Sequence, residues 1–369
     1  MEVTLLKEND YAETMANTVK PALKACLTEG RFDPSPAERG AGIRPLGGTL
    51  HYLAYDAAKF DAENNQGASA GFRGCIVLSH GFTEFAEKYD EMVWYFLLAG
   101  YSVCAIDHRG HGASARDTDD RCNVWIDDWR RYAADLAGFA ETVGQEYANG
   151  QPLYLYCHSM GGGIGAAVLE QHPALFDKAV LSSPMIAPQT GMPLWLARPL
   201  VGALCGLGLG RRPVFGKKDF DPSAPLDLDE NPGASEPRER YFHRLRCNNV
   251  AYQTYKPAFQ WVRQALKLSR AILAPNACGS IETPILLFQS GRDVWVLNEP
   301  QDRFVERVRA GGSPIEKVRY DDSLHEIFSM PNAILGPYVE RILDFFDTPA
   351  PSLWQGLGQS RRACDRAWW

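Results

Sequence analysis

From residue 74 onward, short apolar runs alternate with amphipathic stretches of helix length, and no other feature constrains the fold as tightly. The strand-like runs cover 74–79, 101–106, 152–156, 178–182, 284–289 and 315–320. The helical stretches cover 87–99, 125–147, 164–171, 300–310 and 335–346. Apolar strands separated by helices build a parallel sheet whose two faces are both covered. The chain is therefore expected to be α/β: a mostly parallel central sheet with helices on both faces. An earlier strand is expected at 49–55 and a helix near 13–27. Residues 33–48 are rich in proline and glycine, and 61–71 form a polar connection. There is no internal repeat.

The alternation breaks after residue 182, and about a hundred residues pass before the next strand-like run. That is too long for a compact loop, so an inserted structure is expected there. Residues 191–210 carry no charge except Arg198, but they hold two prolines and five glycines. A membrane-crossing helix needs ~20 helix-competent apolar residues, so the stretch is read as part of a helical lid over the core. The bland alternative is a helix pair packed on the body without substrate contact. Residues 211–237 follow as a polar loop, and 241–274 as a helix with Trp261, Val262, Leu266 and Leu268 on its apolar face. The expected organisation is an N-terminal extension (1–47), a core (48–184 and 281–347), a lid insertion (185–280) and a flexible tail (348–369). The tail mixes Arg and Trp, which suits a lipid interface, but a flexible terminus is the commoner case.

Within the core, residues 155–165 read LYCHSMGGGIG. An apolar run stops at small residues, Ser159 follows, and a helix-like stretch begins directly behind it. That layout lifts one serine hydroxyl clear of a sheet. The usual pattern is G-x-S-x-G, and here Cys157 stands at the first glycine position. An activated serine needs a base and an acid to orient the base. Asp293 follows the strand-like run 284–289 and a glycine, where an acid would sit at the sheet rim. A turn aspartate capping a helix near Glu299 is the alternative. His325 sits on the loop after the last strand-like run, where the base is needed. Backbone N–H groups of Met160 and of Phe82, after the run 74–79 and His80-Gly81, are the expected oxyanion donors. Asp107, His108 and His111 do not match a helical His pair or a Cys/His zinc set, so no metal site is read there.

These segments together resemble the lipolytic branch of the α/β-hydrolases. They are His80-Gly81-x-x-Glu84, Asp107-x-Arg109-Gly110-x-Gly112-x-Ser114, His158-Ser159-Met160-Gly161-Gly162, Gly291-x-Asp293 and His325-Glu326-x-Phe328. That branch holds bacterial lysophospholipases, monoacylglycerol lipases and serine-aminopeptidase-like enzymes. The resemblance runs from about residue 70 to 346, with a gap in the lid. Within the branch, residues 84–95, 123–136 and 241–266 are most similar to the lysophospholipases. The resemblance implies a serine hydrolase that cleaves a single-chain lipid ester through an acyl-serine, without metal or organic cofactor. His80, Glu84, His158, Trp195 and Trp261 are candidate substrate contacts. Monoacylglycerol lipase or general carboxylesterase is the first alternative. An aminopeptidase or an acyltransferase would use the same triad, and a non-catalytic binding protein on the same scaffold is a further alternative.

The net charge of -7 and the lack of a basic face argue against nucleic-acid binding. Nine cysteines occur without a C-x-x-C pair, and several lie inside strand-like runs. This favours free thiols in a reducing compartment over a disulfide framework. The N-terminal residues lack the basic start and apolar core of a secretory signal. A cytoplasmic protein is expected, with peripheral contact at the inner face of the membrane left open.

Overall fold

The computed structural model of the chain describes residues 3–35, 48–60, 71–216 and 218–349. Most of the Pro/Gly-rich stretch, nearly all of the 61–71 connection and the tail from 350 lie outside the described residues.

The strands in chain order are β1 (Leu27–Phe32), β2 (Leu50–Tyr55), β3 (Gly74–Ser79), β4 (Tyr101–Ile106), β5 (Asn123–Val124), β6 (Leu153–His158), β7 (Lys178–Ser182), β8 (Lys256–Pro257), β9 (Ile285–Ser290) and β10 (Ile315–Tyr320). Eight of them form one sheet in the order β1-β2-β4-β3-β6-β7-β9-β10. From β4 to β10 all pairs are parallel, while β2 runs antiparallel to both of its neighbours. The central strands β3, β4, β6, β7 and β9 are buried at every position. That burial is why they read as unbroken apolar runs. Parallel strands all deliver their carboxyl ends to one edge of the sheet, and ligands of open α/β sheets bind along that edge.

One expectation at the N-terminus needs revision. The chain is helical from Tyr11 through Cys26, with a π-helical turn at Met15–Val19, so Tyr11, Met15, Val19 and Leu23 recur every four residues on its buried side. The segment then enters the sheet as β1, with Leu27 opposite Tyr55 and Phe32 opposite Leu50. The stretch expected to be an extension thus supplies an edge strand.

The expected helix at 125–147 begins at Arg130, because β5 pairs with β8 just before it. The expected single helix at 241–274 is two helices, Glu236–Asn248 and Phe259–Ile272. Pro257 lies between them, and a proline lacks the N–H and the room that a continuous helix needs. Trp261, Leu266 and Leu268 are buried on the second helix and Val262 is partly so, as expected. The uncharged stretch forms the helix Leu194–Gly206, which packs against Phe259–Ile272. No helix among the described residues is long and apolar enough to cross a membrane.

Candidate active site

Strand β6 ends at His158, and the helix Met160–Gln171 starts one residue beyond Ser159. The turn forces Ser159 to φ 51° and ψ −116°, a conformation an L-residue adopts only under constraint. Such strain costs about 1–3 kcal/mol and persists only where the surroundings over-determine it. Here the Ser159 N–H donates to Ser182 O at 3.1 Å, and its carbonyl accepts from Gly163 N at 3.2 Å and Met185 N at 2.7 Å. The helix then passes so close to the sheet that a Cβ at Gly161 would stand 2.2 Å from the Ser79 carbonyl oxygen. Cys157 is compatible with this geometry because Gly165, one turn into the helix, leaves its sulfur room.

The Ser159 hydroxyl lies 2.8 Å from Nε2 of His325, and Nδ1 of the same ring lies 2.6 Å from Oδ2 of Asp293. The loops after β6, β9 and β10 bring these three side chains together at the carboxyl edge of the sheet. Oδ1 of Asp293 accepts from Trp295 N at 2.8 Å and Val296 N at 3.0 Å, so both carboxylate oxygens have donors. Burial works against the charge on Asp293. The imidazole of His325 and the two amides outweigh it and hold the carboxyl below its usual range. Burial also disfavours protonated His325, but the Asp293 charge and hydrogen bond, with Glu326 and Glu84, raise the ring above its ordinary value. A proton on Nδ1 facing Asp293 leaves the Nε2 lone pair to accept from the serine hydroxyl.

Phe82 follows β3, and its ring packs 4.2 Å from that of Trp261 and 5.6 Å from that of His111. Met160 is the first residue of its helix, where a backbone N–H has no intrahelical partner. Among the described residues, the Phe82 N–H likewise has no intramolecular acceptor. The other candidate contacts divide. His80, Glu84 and His158 are buried. His80 bonds the Gly81 carbonyl and the His108 N–H. Glu84 accepts from Gly81 N, Lys88 and Tyr89, and lies 3.2 Å from His158. These three side chains spend their polar atoms inside the protein, and the ring of His158 lies 4.8 Å from that of His325. Trp195 is the opposite case, 74% exposed on the helix Leu194–Gly206.

Asp107 does not face His108 or His111 as a shared ligand set. It binds His51 Nδ1 at 2.8 Å and the amides of Ala86 and Ala113. Among the described residues, one other grouping, Asp120, Cys122 and Asp219, brings potential ligands together, but Lys256 already sits between the two carboxylates. Sequence reasoning missed Lys88. Its one local signal was a position four residues after Glu84, the spacing at which helical side chains meet.

A mostly parallel sheet with Ser, Asp and His on the carboxyl-end loops of β6, β9 and β10 defines an α/β-hydrolase with the geometry of a serine triad. Residues 71–332 match the family model described as serine aminopeptidase, S33, and the chain belongs to that family. Lysophospholipase L2 of Escherichia coli (strain K12) is 29% identical over 290 residues, covering 74% of this chain and 80% of the relative. Monoacylglycerol lipase of Mycolicibacterium smegmatis is 26% identical over 265 residues, covering 70% and 83%. The fold is similar to a thermostable carboxyl esterase from Bacillus coagulans, with TM-score 0.67 and 18% identity, covering 87% of this chain and 98% of that one.

Proposed function

We propose that this chain is a serine hydrolase that cleaves the carboxylic ester of a single-chain lipid, a lysophospholipid first, through an acyl-serine intermediate. The hydrogen-bonded series Ser159–His325–Asp293 carries the reading. His325 takes the Ser159 proton as the oxygen attacks the acyl carbonyl. Asp293 fixes the imidazole tautomer and stabilises the imidazolium. The amides of Phe82 and Met160 donate to the developing oxyanion, each worth about 3 kcal/mol of barrier. His325 then protonates the departing glycerol oxygen. Water attacks the acyl-serine with His325 again as base, releasing fatty acid and free Ser159.

The choice of ester over peptide rests on Glu84. An aminopeptidase needs an acidic group to hold a free amine, and the carboxylate of Glu84 is already committed to Lys88, Tyr89, His158 and the Gly81 amide. The relatives named lysophospholipase and monoacylglycerol lipase support a lipid monoester, the second being the runner-up substrate. Residues 185–280 serve in this reading as the lid. Trp195, Leu207 and Phe215 are exposed at 74%, 77% and 72%. No acidic residue occurs between Asp177 and Asp219, while Arg198, Arg211, Arg212 and Lys218 do. An apolar, basic surface of this kind supports peripheral contact with an anionic membrane. The described cysteines are all free, which supports a cytoplasmic setting.

The test is turnover of a panel of lysophospholipids, monoacylglycerols and aminoacyl anilides, with Ser159→Ala as control. Ester cleavage that disappears in Ser159→Ala is expected, with fluorophosphonate labelling confined to wild type. Rapid anilide cleavage without ester turnover would overturn the reading.

A further inference from the structure

Lys88 is buried, yet it carries a charge, and burial of an ammonium is tolerated only where carboxylates answer it. Two do, and they belong to different loops. Nζ lies 2.9 Å from Oε1 of Glu84 and 2.5 Å from Oε1 of Glu326. Glu84 accepts the N–H of Gly81, the residue before Phe82. Glu326 directly follows His325. Burial favours neutral Lys88, but Glu326 and Glu84 outweigh it and raise the ammonium's pKa above its ordinary value. A second route runs in parallel. The ring of His158 lies 3.2 Å from the Glu84 carboxylate, and its Nε2 lies 3.4 Å from the His325 carbonyl oxygen. Phe242, on the helix Glu236–Asn248 of the insertion, closes the site with its ring centroid 3.9 Å from Nζ.

We propose that Lys88 is a positioning residue for the reaction: one ammonium, shared by Glu84 and Glu326, holds the loop bearing the Phe82 amide in register with the loop bearing His325. The oxyanion donor and the base come from opposite ends of the chain, and Lys88 with Glu326 bridges 238 residues between them. Misplacement of a catalytic group by about 1 Å can cost 10²-fold in rate. A rigid ionic bridge fixes that spacing, and the Phe242 ring makes its integrity depend on the inserted helices being seated. The inference rests on the ester-hydrolase reading of the same site.

The rival account is that Lys88 only balances buried charge; removing a charge moves the pH profile under both accounts, so kcat on the pH plateau, read against KM, separates the two. The groups facing His325 are Asp293, Glu326, Glu84 and the His158 ring, while Glu239 of the insertion faces Glu326. Lys88→Met removes the one ammonium shared by two carboxylates beside the base, so the acidic limb of kcat/KM for palmitoyl lysophosphatidylcholine should move to higher pH. Glu326→Gln removes one negative charge, so the same limb should move to lower pH. In Lys88→Met, kcat should fall about 10²-fold with KM little changed, and Lys88→Arg should restore most of it. Limbs that stay fixed in both variants, or move in the same direction, overturn the proposal, as does an unchanged kcat in Lys88→Met. If Lys88→Met does not fold, Glu326→Gln decides alone. A lower limb with reduced kcat supports the bridge, and wild-type behaviour overturns it. Wild-type protein that leaves the ester intact condemns the functional reading instead.

Discussion

The sulfur of Cys157 occupies the space that a side chain at position 165 would need, since a Cβ on Gly165 would stand 2.5 Å from that Sγ. Cys157 lies on β6 and Gly165 on the helix behind Ser159, so the pair sets how closely that helix approaches the sheet. A single added methyl should therefore push on the nucleophile's own support. Gly165→Ala is expected to destabilise the protein by about 1–3 kcal/mol, the usual cost of overpacking a tight core. In a Cys157→Ala background the cost should shrink, because the opposing sulfur is gone. Urea unfolding of both single variants and the double variant measures this coupling. Strict additivity would show that the two positions do not compete.

Asp293 holds His325 in one tautomer through Oδ2, while Oδ1 keeps the amides of Trp295 and Val296. An asparagine preserves the amide contacts through its own carbonyl oxygen but presents an N–H where Nδ1 needs an acceptor. Asp293→Asn should therefore fold normally and lose about 10⁴-fold in kcat. The sign of the pH effect follows from the charge. Asp293 raises the His325 pKa, so wild-type kcat/KM falls as pH drops through that raised value. Without the carboxylate, burial prevails and the acidic limb should shift to lower pH. An unshifted limb would mean that another group titrates there.

Glu170 sits near the end of the helix Met160–Gln171, with Oε1 buried and unpaired among the described residues. Burial pushes its carboxyl from the ordinary 4.5 up to about 9. The folded protein thus keeps a proton that the unfolded chain releases near pH 4.5. Stability from this group is complete below that pH and is lost as pH rises toward about 9. Glu170→Gln cannot titrate, so its Tm advantage over wild type should be small at pH 5 and grow to several degrees by pH 9. Parallel Tm curves for the two proteins would refute the assignment.

The central strands and the serine turn were legible because full burial writes an unbroken apolar run, and because a sharp strand-to-helix turn admits only small neighbours. β1 was not. Its sequence, LTEGRF, has only half-buried and exposed positions at the sheet edge, without regular alternation, and contains a glycine. The division of the 241–274 helix was missed because the apolar spacing resumes after Pro257, although that proline itself forbids continuity. Ser159, Asp293 and His325 could be ordered along the chain by motif and position. The Lys88 bridge could not, since nothing near residue 88 announces a partner 238 positions away. Glu84 and His158 were noticed, but their burial depends on side-chain packing that no local pattern encodes.

His325 reaches Ser159 across 166 positions of sequence, and it does so from the loop beyond β10, the last strand of the sheet to leave the ribosome. Until residue 325 has been made, the Ser159 hydroxyl lacks the partner proposed as its base, whatever portion of the sheet has already folded. Products that end before residue 325 should therefore show no more than the residual activity of a triad without its histidine.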